Sequence, residues 1–455
     1  MSSEKVAEKY DCKLNDKISV GMISLGCAKN RVDSEIMLGL LSGAEYTITA
    51  DPSAADVIII NTCGFIESAK QEAIDTILEM AEYKVSGRCR KLIVAGCLSE
   101  RYAKEIEEAL PEVDAIIGIG GYDRICDAVE ADTTDTKYVY VEKNYSIDYL
   151  NSDRILTTPA GSAYLKIADG CDNFCTYCII PKLRGKFRSR PSDSILSEAR
   201  EMAERGVKEI ILVAQDTACY GKDIGSDLPS LLKELSKIEG IEWIRLQYSY
   251  PENITDALID EIASNPKIVK YIDMPLQHVS DNVLRRMGRR SRYDEIVLLT
   301  DKLRAKIPGL VIRTSLIVGF PGETEEDFEL LKDFLSNHRL DKVGAFTYSR
   351  EEGTPAAEYD GQIDEEIKER RLDELMSLQK EISFDINKSR IGTRDFVLIE
   401  GYDEGEFSYV GRCSHDTPDV DGCAYVYSED ELECGDIVEV EIIDCTEYDI
   451  IAKTV

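Results

Sequence analysis

The chain has 455 residues, too many for one hydrophobic core, and its 43% apolar content is enough for two to four packed domains. With 87 Asp plus Glu against 54 Lys plus Arg, its formal charge is −33, the wrong overall sign for a protein that grips phosphates along its whole surface. No run approaches the roughly 18 apolar residues of a membrane span, and MSSEKVAEKYDCKLNDK has no apolar signal core, so a soluble cytoplasmic protein without a membrane partner is expected. In that reducing compartment, fourteen cysteines are metal ligands, reactive thiols or buried hydrophobes before they are disulfides.

From about 18 to 145, strand, turn and helix alternate. ISVGMISLGC runs into NRVDSEIMLGLL, ADVIIINTC into FIESAKQEAIDTILEMAEYK, and RKLIVAGC into SERYAKEIEEAL. Short apolar runs alternating with amphipathic segments predict an α/β domain with a parallel sheet flanked by helices. Each of the three strands ends on a cysteine: Cys27, Cys63 and Cys97. Ligands of open α/β sheets bind beyond the carboxyl ends of the strands, so these thiols converge on one edge. A small residue at a tight turn explains any one of them; three in the same register argue for a joint role. Cys12, Cys89 and Cys126 share no such position.

Residues 146 to 160 read as a linker, and between 161 and 387 a second strand–helix series follows. AYLKIA, EIILVAQD, EWIRLQYS, VKYIDMP, LVIRTSLIVGF and DKVGAFTYS are six strands at the spacing of βα units, which predicts a partial (βα)6 TIM-type barrel. A long polar helix, roughly 364 to 390, leads out of it. From 388 to 455, DFVLIEG, FSYVGRC, CAYVYS and DIVEVEIIDC alternate between Gly and Asp turns and predict a small β-barrel.

The stretch CDNFCTYC, residues 171 to 178, follows the first barrel strand and so lies on the catalytic face of such a fold. Zinc would take four protein ligands, often as paired C-x-x-C units, and only His278, His338 and His415 are available to complete a set. Three thiolates at close spacing on one loop match a four-iron cluster better, and they leave one iron open to a small ligand. In the C-terminal barrel, Cys413, Cys423, Cys434 and Cys445 are spaced ten and eleven residues apart, which favours strand positions over a zinc site.

C-x-x-x-C-x-x-C after a first strand, with an aromatic residue before the last cysteine, resembles the radical S-adenosylmethionine (SAM) enzymes. The resemblance implies that the cluster on Cys171, Cys175 and Cys178 binds SAM at its open iron and cleaves it to a 5′-deoxyadenosyl radical. It also implies that Tyr177 lies near the adenine, that Gln215 in AQD meets the methionyl part, and that the Gly319 backbone in LIVGFPGET approaches the adenine. Gln277 in MPLQH ends the fourth strand and faces the same mouth. Tyr177 and Gly319 have plainer readings as loop packing and a turn.

The order of cysteine-bearing α/β domain, radical SAM barrel and small C-terminal barrel resembles the methylthiotransferases over nearly the whole chain. In that family the last domain is called TRAM, and the N-terminal trio, here Cys27, Cys63 and Cys97, binds a second [4Fe-4S] cluster that carries sulfur. The resemblance implies that one SAM methylates the sulfur, a second yields the radical, and a substrate carbon takes the methylthio group. An electron donor of flavodoxin or ferredoxin type and a sulfur donor are implied as partners.

The family has two substrate branches, modified adenosines in tRNA and the β-carbon of an aspartate in ribosomal protein S-twelve. Residues 388 to 455 carry 5 Lys plus Arg against 18 Asp plus Glu, a net of −13, which repels a phosphate backbone and attracts a basic ribosomal protein, free or in the small subunit. SLGCAKNRVDSE, NTCGFIESAKQEAI, CDNFCTYCIIPKLRGKFRSRP and MPLQHVSDNVLRRMGRR also resemble the ribosomal branch. Two basic runs pull the other way: Lys182, Arg184, Lys186, Arg188 and Arg190, and Arg285, Arg286, Arg289, Arg290 and Arg292. tRNA methylthiolation is therefore the runner-up, and a non-catalytic iron–sulfur electron carrier is the alternative of another class.

Overall fold

The computed structural model of the chain describes residues 18–143 and 146–455, so Cys12 lies outside the described residues. Two compact units divide between Leu156 and Thr157.

In the first unit, Ser19–Ser24, Val57–Thr62 and Lys91–Gly96 are adjacent strands of a parallel six-stranded sheet. Sequences such as VIIINT and KLIVAG suit strands covered on both faces, and Ile58, Ile59, Ile60, Leu92, Ile93 and Val94 are wholly buried. Thr47–Thr49, Ala115–Ile117 and Tyr138–Tyr140 complete the sheet. At three residues each they are too short to show a period, and the sequence reading passed over them. The stretch expected as a linker folds onto this same unit. Tyr149 donates to Asp33 at 3.0 Å, and Arg154 pairs with the buried Glu35 at 2.7 Å. Gly39 must lack a side chain there, since a Cβ would stand 2.0 Å from the Asp153 carbonyl oxygen.

In the second unit, Ser162–Lys166, Glu209–Val213, Trp243–Leu246, Ile268–Asp273, Val311–Val318 and Lys342–Thr347 pair in sequence order, all parallel. Right-handed crossovers between successive neighbours put every helix on one face, so the sheet curls into an open, partial barrel with a mouth at the carboxyl ends. Helix Glu365–Ser389 then leads to a closed five-stranded barrel built from Arg394–Asp403, Ser408–Cys413, Ala424–Tyr427, Ile437–Cys445 and Ile450–Thr454. Its core holds Val397, Ile399, Val426, Val440, Ile442 and the fully buried Cys413. The last strand, IIAKT, extends the four read from the sequence to five.

The amino ends of the open barrel enclose charge. Glu209 is buried and accepts from Arg245 Nε at 2.7 Å, from Arg412 Nη2 at 2.6 Å and from Ser162 Oγ at 3.1 Å. The segment 412–421 of the small barrel supplies the lid of this chamber. Arg245 also donates to the Ser414 carbonyl, Gln247 to Thr417, and Tyr271 to Asp421, while Lys342 pairs with Asp416 at 2.7 Å. Among the described residues no helix is long and apolar enough to cross a membrane.

Candidate functional site

At the mouth of the second unit, the turn into residues 171–178 is fixed by a buried carboxylate. Asp169 accepts from the Gly170 N–H at 2.9 Å, from Arg184 Nη1 at 3.1 and 3.2 Å, and from Gln215 Nε2 at 3.0 Å, with Lys166 Nζ at 3.1 Å. Burial opposes its charge, yet Arg184 and then Lys166 hold its carboxyl well below the usual carboxylate range. Gly170 has φ +81°, and a Cβ there would lie 2.0 Å from the Lys186 carbonyl oxygen, so only glycine lets the chain turn. The loop is then clamped at its middle: Thr176 N–H donates to the Met287 carbonyl at 2.9 Å and Thr176 Oγ1 to the Arg286 carbonyl at 2.8 Å.

Cys171 and Cys175 are buried and Cys178 is half-buried. Burial pushes the Cys171 thiol up to about 11, with Cys175 adding to the shift. Burial, then Cys175, raises Cys178 still further. Three thiols gathered on one short, largely buried loop are a donor set suited to a multi-iron cluster, whose metal charge deprotonates coordinating sulfur. Among the described residues no group of three or more His, Cys, Asp and Glu side chains converges tightly enough for a single metal ion. Cys175 Sγ lies 3.6 Å from the Tyr250 hydroxyl, and Arg289 stacks over the Tyr250 ring with 4.2 Å to its centroid.

The four other expected residues all lie beyond the carboxyl ends of this sheet's strands. Gln215 is pinned through its amide nitrogen by Asp169, while its buried Oε1 has no protein partner. Tyr177 packs edge-on against Phe320, with ring centroids 6.4 Å apart, and its hydroxyl is likewise buried without a partner. Such orphaned polar atoms at a mouth point to a ligand that completes them. Gln277 has φ +69° and bridges to Leu316. Gly319 has φ +72° and faces the long helix, where a Cβ would meet Lys368 Cγ at 2.3 Å. Phe174 and Tyr248, at +49° and +61°, share with Gln277 a left-handed backbone that costs non-glycine residues about 1–3 kcal/mol, a strain that clusters at functional sites.

Sequence reasoning missed Asp169 and Tyr250, which carry no motif of their own, and in AQD it singled out Gln215 without Asp216. Asp216 stands next to Gln215 and is buried. It accepts from Asn173 Nδ2 at 3.1 Å, from Asn253 Nδ2 at 2.7 Å and from the Cys219 thiol at 3.2 Å, tying the second and third strand ends to the cysteine loop.

The two basic runs resolve into separate jobs. Arg184 and Arg190 are buried against Asp169 and Glu198, and Arg289 lies between Glu252, the Pro275 carbonyl and Tyr250. Arg286 donates to the carbonyls of Pro321 and Asp360. Lys182 reaches the Gly353 carbonyl. Most of what reads as a phosphate grip is internal bracing.

In the first unit, Cys27, Cys63 and Cys97 stand at the carboxyl ends of three neighbouring strands, with Ser24 paired to Asn61 and Thr62 to Gly96. Cys27 is the N-cap of helix Ala28–Gly43 and Cys97 the first residue of helix Cys97–Ala109, so two helix N-termini aim partial positive charge at anionic sulfur. A Cβ on Gly26 would come within 2.8 Å of Cys63 Cβ. The buried Asn30 donates to the Leu25 carbonyl at 3.2 Å and the Thr62 carbonyl at 2.9 Å, and accepts from the Cys97 thiol at 3.8 Å. Asn61 in turn donates to the Asn30 carbonyl. These two amides position the strand ends, and nothing in their spacing announced them. Elsewhere Cys89 is core, Cys126 donates to the Leu40 carbonyl, and Cys413 and the exposed Cys434 belong to no common site.

Family models match three stretches of the chain: the Radical SAM superfamily over residues 165–335, an uncharacterized protein family, UPF0004, over 19–118, and the TRAM domain over 391–455. The ribosomal protein uS12 methylthiotransferase RimO of Clostridium botulinum (strain Eklund 17B / Type B) is 55% identical over 438 residues, 96% of this chain and 98% of that protein. The protein of the same name from Acetivibrio thermocellus is 52% identical over 448 residues, 96% of this chain and 99% of that protein. Among solved structures, the radical SAM methyltransferase TsrM from Kitasatospora setae, with cobalamin and a [4Fe-4S] cluster bound, superimposes with a TM-score of 0.54. At 13% identity over 83% of this chain and 79% of that one, the likeness is of fold alone.

Proposed function

This chain belongs to the family of ribosomal protein uS12 methylthiotransferases, and from that premise we propose that Cys171, Cys175 and Cys178 hold its SAM-binding cluster and Cys27, Cys63 and Cys97 its sulfur-carrying one. The enzyme is a transferase with two [4Fe-4S] clusters and SAM as cofactors, and it adds a methylthio group to an aspartate β-carbon of uS12. When bound, the reduced cluster and SAM supply a radical that takes hydrogen from an unactivated carbon, and the second cluster supplies sulfur.

The protein's part is positioning. Asp169 fixes the cysteine loop and occupies the Gln215 amide nitrogen, which leaves the buried Gln215 carbonyl oxygen for an amino group of SAM to satisfy. Tyr177, Gln277 and Gly319 form the rest of the proposed SAM cradle. Thr176, clamped to residues 286 and 287, keeps the thiols from spreading.

The 55% identity across 96% of the chain carries the reaction. The basic uS12 protein, free or assembled, is the substrate partner that the acidic C-terminal barrel fits, and the cytoplasm is where the two would meet. A one-electron donor of flavodoxin or ferredoxin type and a sulfur donor complete the partners. Mass spectrometry of uS12 and of bulk tRNA, from cells with and without the gene, tests the assignment. The methylthio mass on uS12 disappears in the knockout and methylthioadenosines persist; the opposite pattern overturns the branch.

The barrel's role has its own test. Glu404, Glu406, Glu429 and Glu431 are exposed. Changing all four to Lys slows association with uS12 at least tenfold at low salt, and the difference narrows at 0.5 M salt, where the Debye length is only about 4 Å. Surface plasmon resonance across a salt series reads both effects.

A further inference from the structure

Each of the three sulfurs on the 171–178 loop meets a hydrogen-bond donor. Cys171 is met by the Asn173 N–H and Cys178 by the Ile180 N–H, both from the backbone close by. The donor to Cys175 is different in kind. It is the Tyr250 hydroxyl, 3.6 Å from Sγ, brought from beyond the end of the third barrel strand, 75 residues along the chain. The buried Asp216 sets its backbone, accepting the Tyr250 N–H at 3.3 Å. Against a free thiol either atom could donate; against a sulfur whose proton a metal has displaced, only the hydroxyl can.

Behind the ring lies Arg289. Its side chain is 1% exposed, and its guanidinium carbon sits 4.2 Å from the Tyr250 ring centroid. Nη2 donates to the Pro275 carbonyl at 3.1 Å, and Glu252 Oε1 lies 3.5 Å from Nε. Glu252 is itself held by the Ser291 N–H at 3.2 Å. That carboxylate balances the Arg289 charge at a distance, so the influence of Arg289 on the sulfur passes through the ring face it covers. A cation there draws density from the ring and makes the hydroxyl a stronger donor. Neither side chain belongs to the proposed SAM cradle.

We propose that Tyr250, with Arg289 stacked behind it, sets the reduction potential of the cluster on Cys171, Cys175 and Cys178. The inference rests on the reading that these three thiolates hold that cluster. Reduction adds one electron, taken from the reductant, and no atom is transferred. The added charge makes the sulfurs better acceptors, so a donor to one of them favours the reduced form and raises the potential. A higher potential eases loading of the electron, while a lower one makes its onward transfer to SAM more favourable. Tyr250 is thus a tuning residue that fixes this balance from outside the cysteine loop.

The test is a dithionite titration followed by electron paramagnetic resonance. The parent is iron-loaded enzyme carrying Cys27→Ala, Cys63→Ala and Cys97→Ala, so that one cluster titrates. Adding Tyr250→Phe, which deletes only the hydroxyl, lowers the ratio of reduced to oxidised cluster about tenfold at a fixed poise. For one electron that is a fall in midpoint of about 59 mV. Iron content and SAM affinity stay at the parent's values, which a merely structural role for Tyr250 would not allow. Arg289→Lys keeps the charge beside Glu252 but loses the planar stack, and it lowers the midpoint by less. Should Tyr250→Phe lose iron, replacing Tyr250 by 3-fluorotyrosine keeps the shape and strengthens the donor, and the midpoint rises. An unchanged midpoint in either Tyr250 variant overturns the proposal. So does weaker SAM binding at an unchanged midpoint, which would make Tyr250 a SAM contact. A parent with no reducible cluster instead removes the reading of the trio, and the proposal with it. No methylthiolation enters these readouts, so an error in the uS12 assignment would leave the result standing.

Discussion

Changing Cys178 to Ala abolishes both SAM cleavage and methylthio transfer, whereas changing Cys63 to Ala abolishes transfer and leaves cleavage intact. The expectation follows from where the two trios lie. Cys178 shares the loop with Cys171 and Cys175 in the second compact unit, and its thiol is pushed upward by burial first and then by Cys175. Cys63 lies in the first unit, at a strand end held by Asn30 and Asn61 and in contact with Gly26. Loss of one corner ligand removes a thiolate that no nearby His replaces. Transfer falls at least about a thousandfold in either variant, which corresponds to roughly 4 kcal/mol of transition-state stabilisation. Chromatographic assay of 5′-deoxyadenosine after chemical reduction, alongside mass spectrometry of a uS12 peptide, separates the two outcomes. If the Cys63 variant also stops releasing 5′-deoxyadenosine, the division of labour between the trios is wrong.

The second large effect concerns stability. Glu209→Gln lowers the stability of the second unit by about 3–5 kcal/mol, because Arg245 is left buried without an anion and Arg412 keeps only Glu400, at 2.8 Å. The pH dependence follows from the same geometry. Burial works against the charged form, but Arg412 and then Arg245 draw the Glu209 carboxyl down to about 2, below its value in the unfolded chain. A depressed folded-state value means that the contribution is fully present above about pH 4.5 and is lost as pH falls toward 2. Urea unfolding from pH 7 to pH 3 therefore shows a gap between native and variant that narrows with acid. A gap below 1 kcal/mol at pH 7, or one that widens on acidification, would contradict this account.

Much of the architecture was legible because it is written in periods. VIIINT, KLIVAG and EIILV are apolar runs of strand length between turn residues, and each is a buried parallel strand. The missing edges, Thr47–Thr49 and Tyr138–Tyr140, lacked the length for any period to show. At the sites, cysteines declared themselves because few residue types combine with such spacing. The residues that hold them did not. Asp169 has Lys166 three residues before it, but Arg184 and Gln215 reach it from far along the chain. Asn30 does its work across the strand ends at Leu25 and Thr62. The basic runs misled for the same reason. Arg184 and Arg190 look like a surface stripe in one dimension and are interior struts in three.

The segment 412–421 has a consequence for how this chain can be taken apart. Asp419 sits at its bend with φ +68° and meets Tyr164 from the first barrel strand, while Ser414 and Thr417 serve the third strand and its end, Asp421 the fourth and Asp416 the sixth. The terminal domain is therefore a stopper for the catalytic scaffold as well as an acidic surface. Truncating at the long helix would open a row of ionised side chains to water and unseat the scaffold. A chimera that borrows this domain from a relative must import a matching stopper, residue for residue, or lose the enzyme with it.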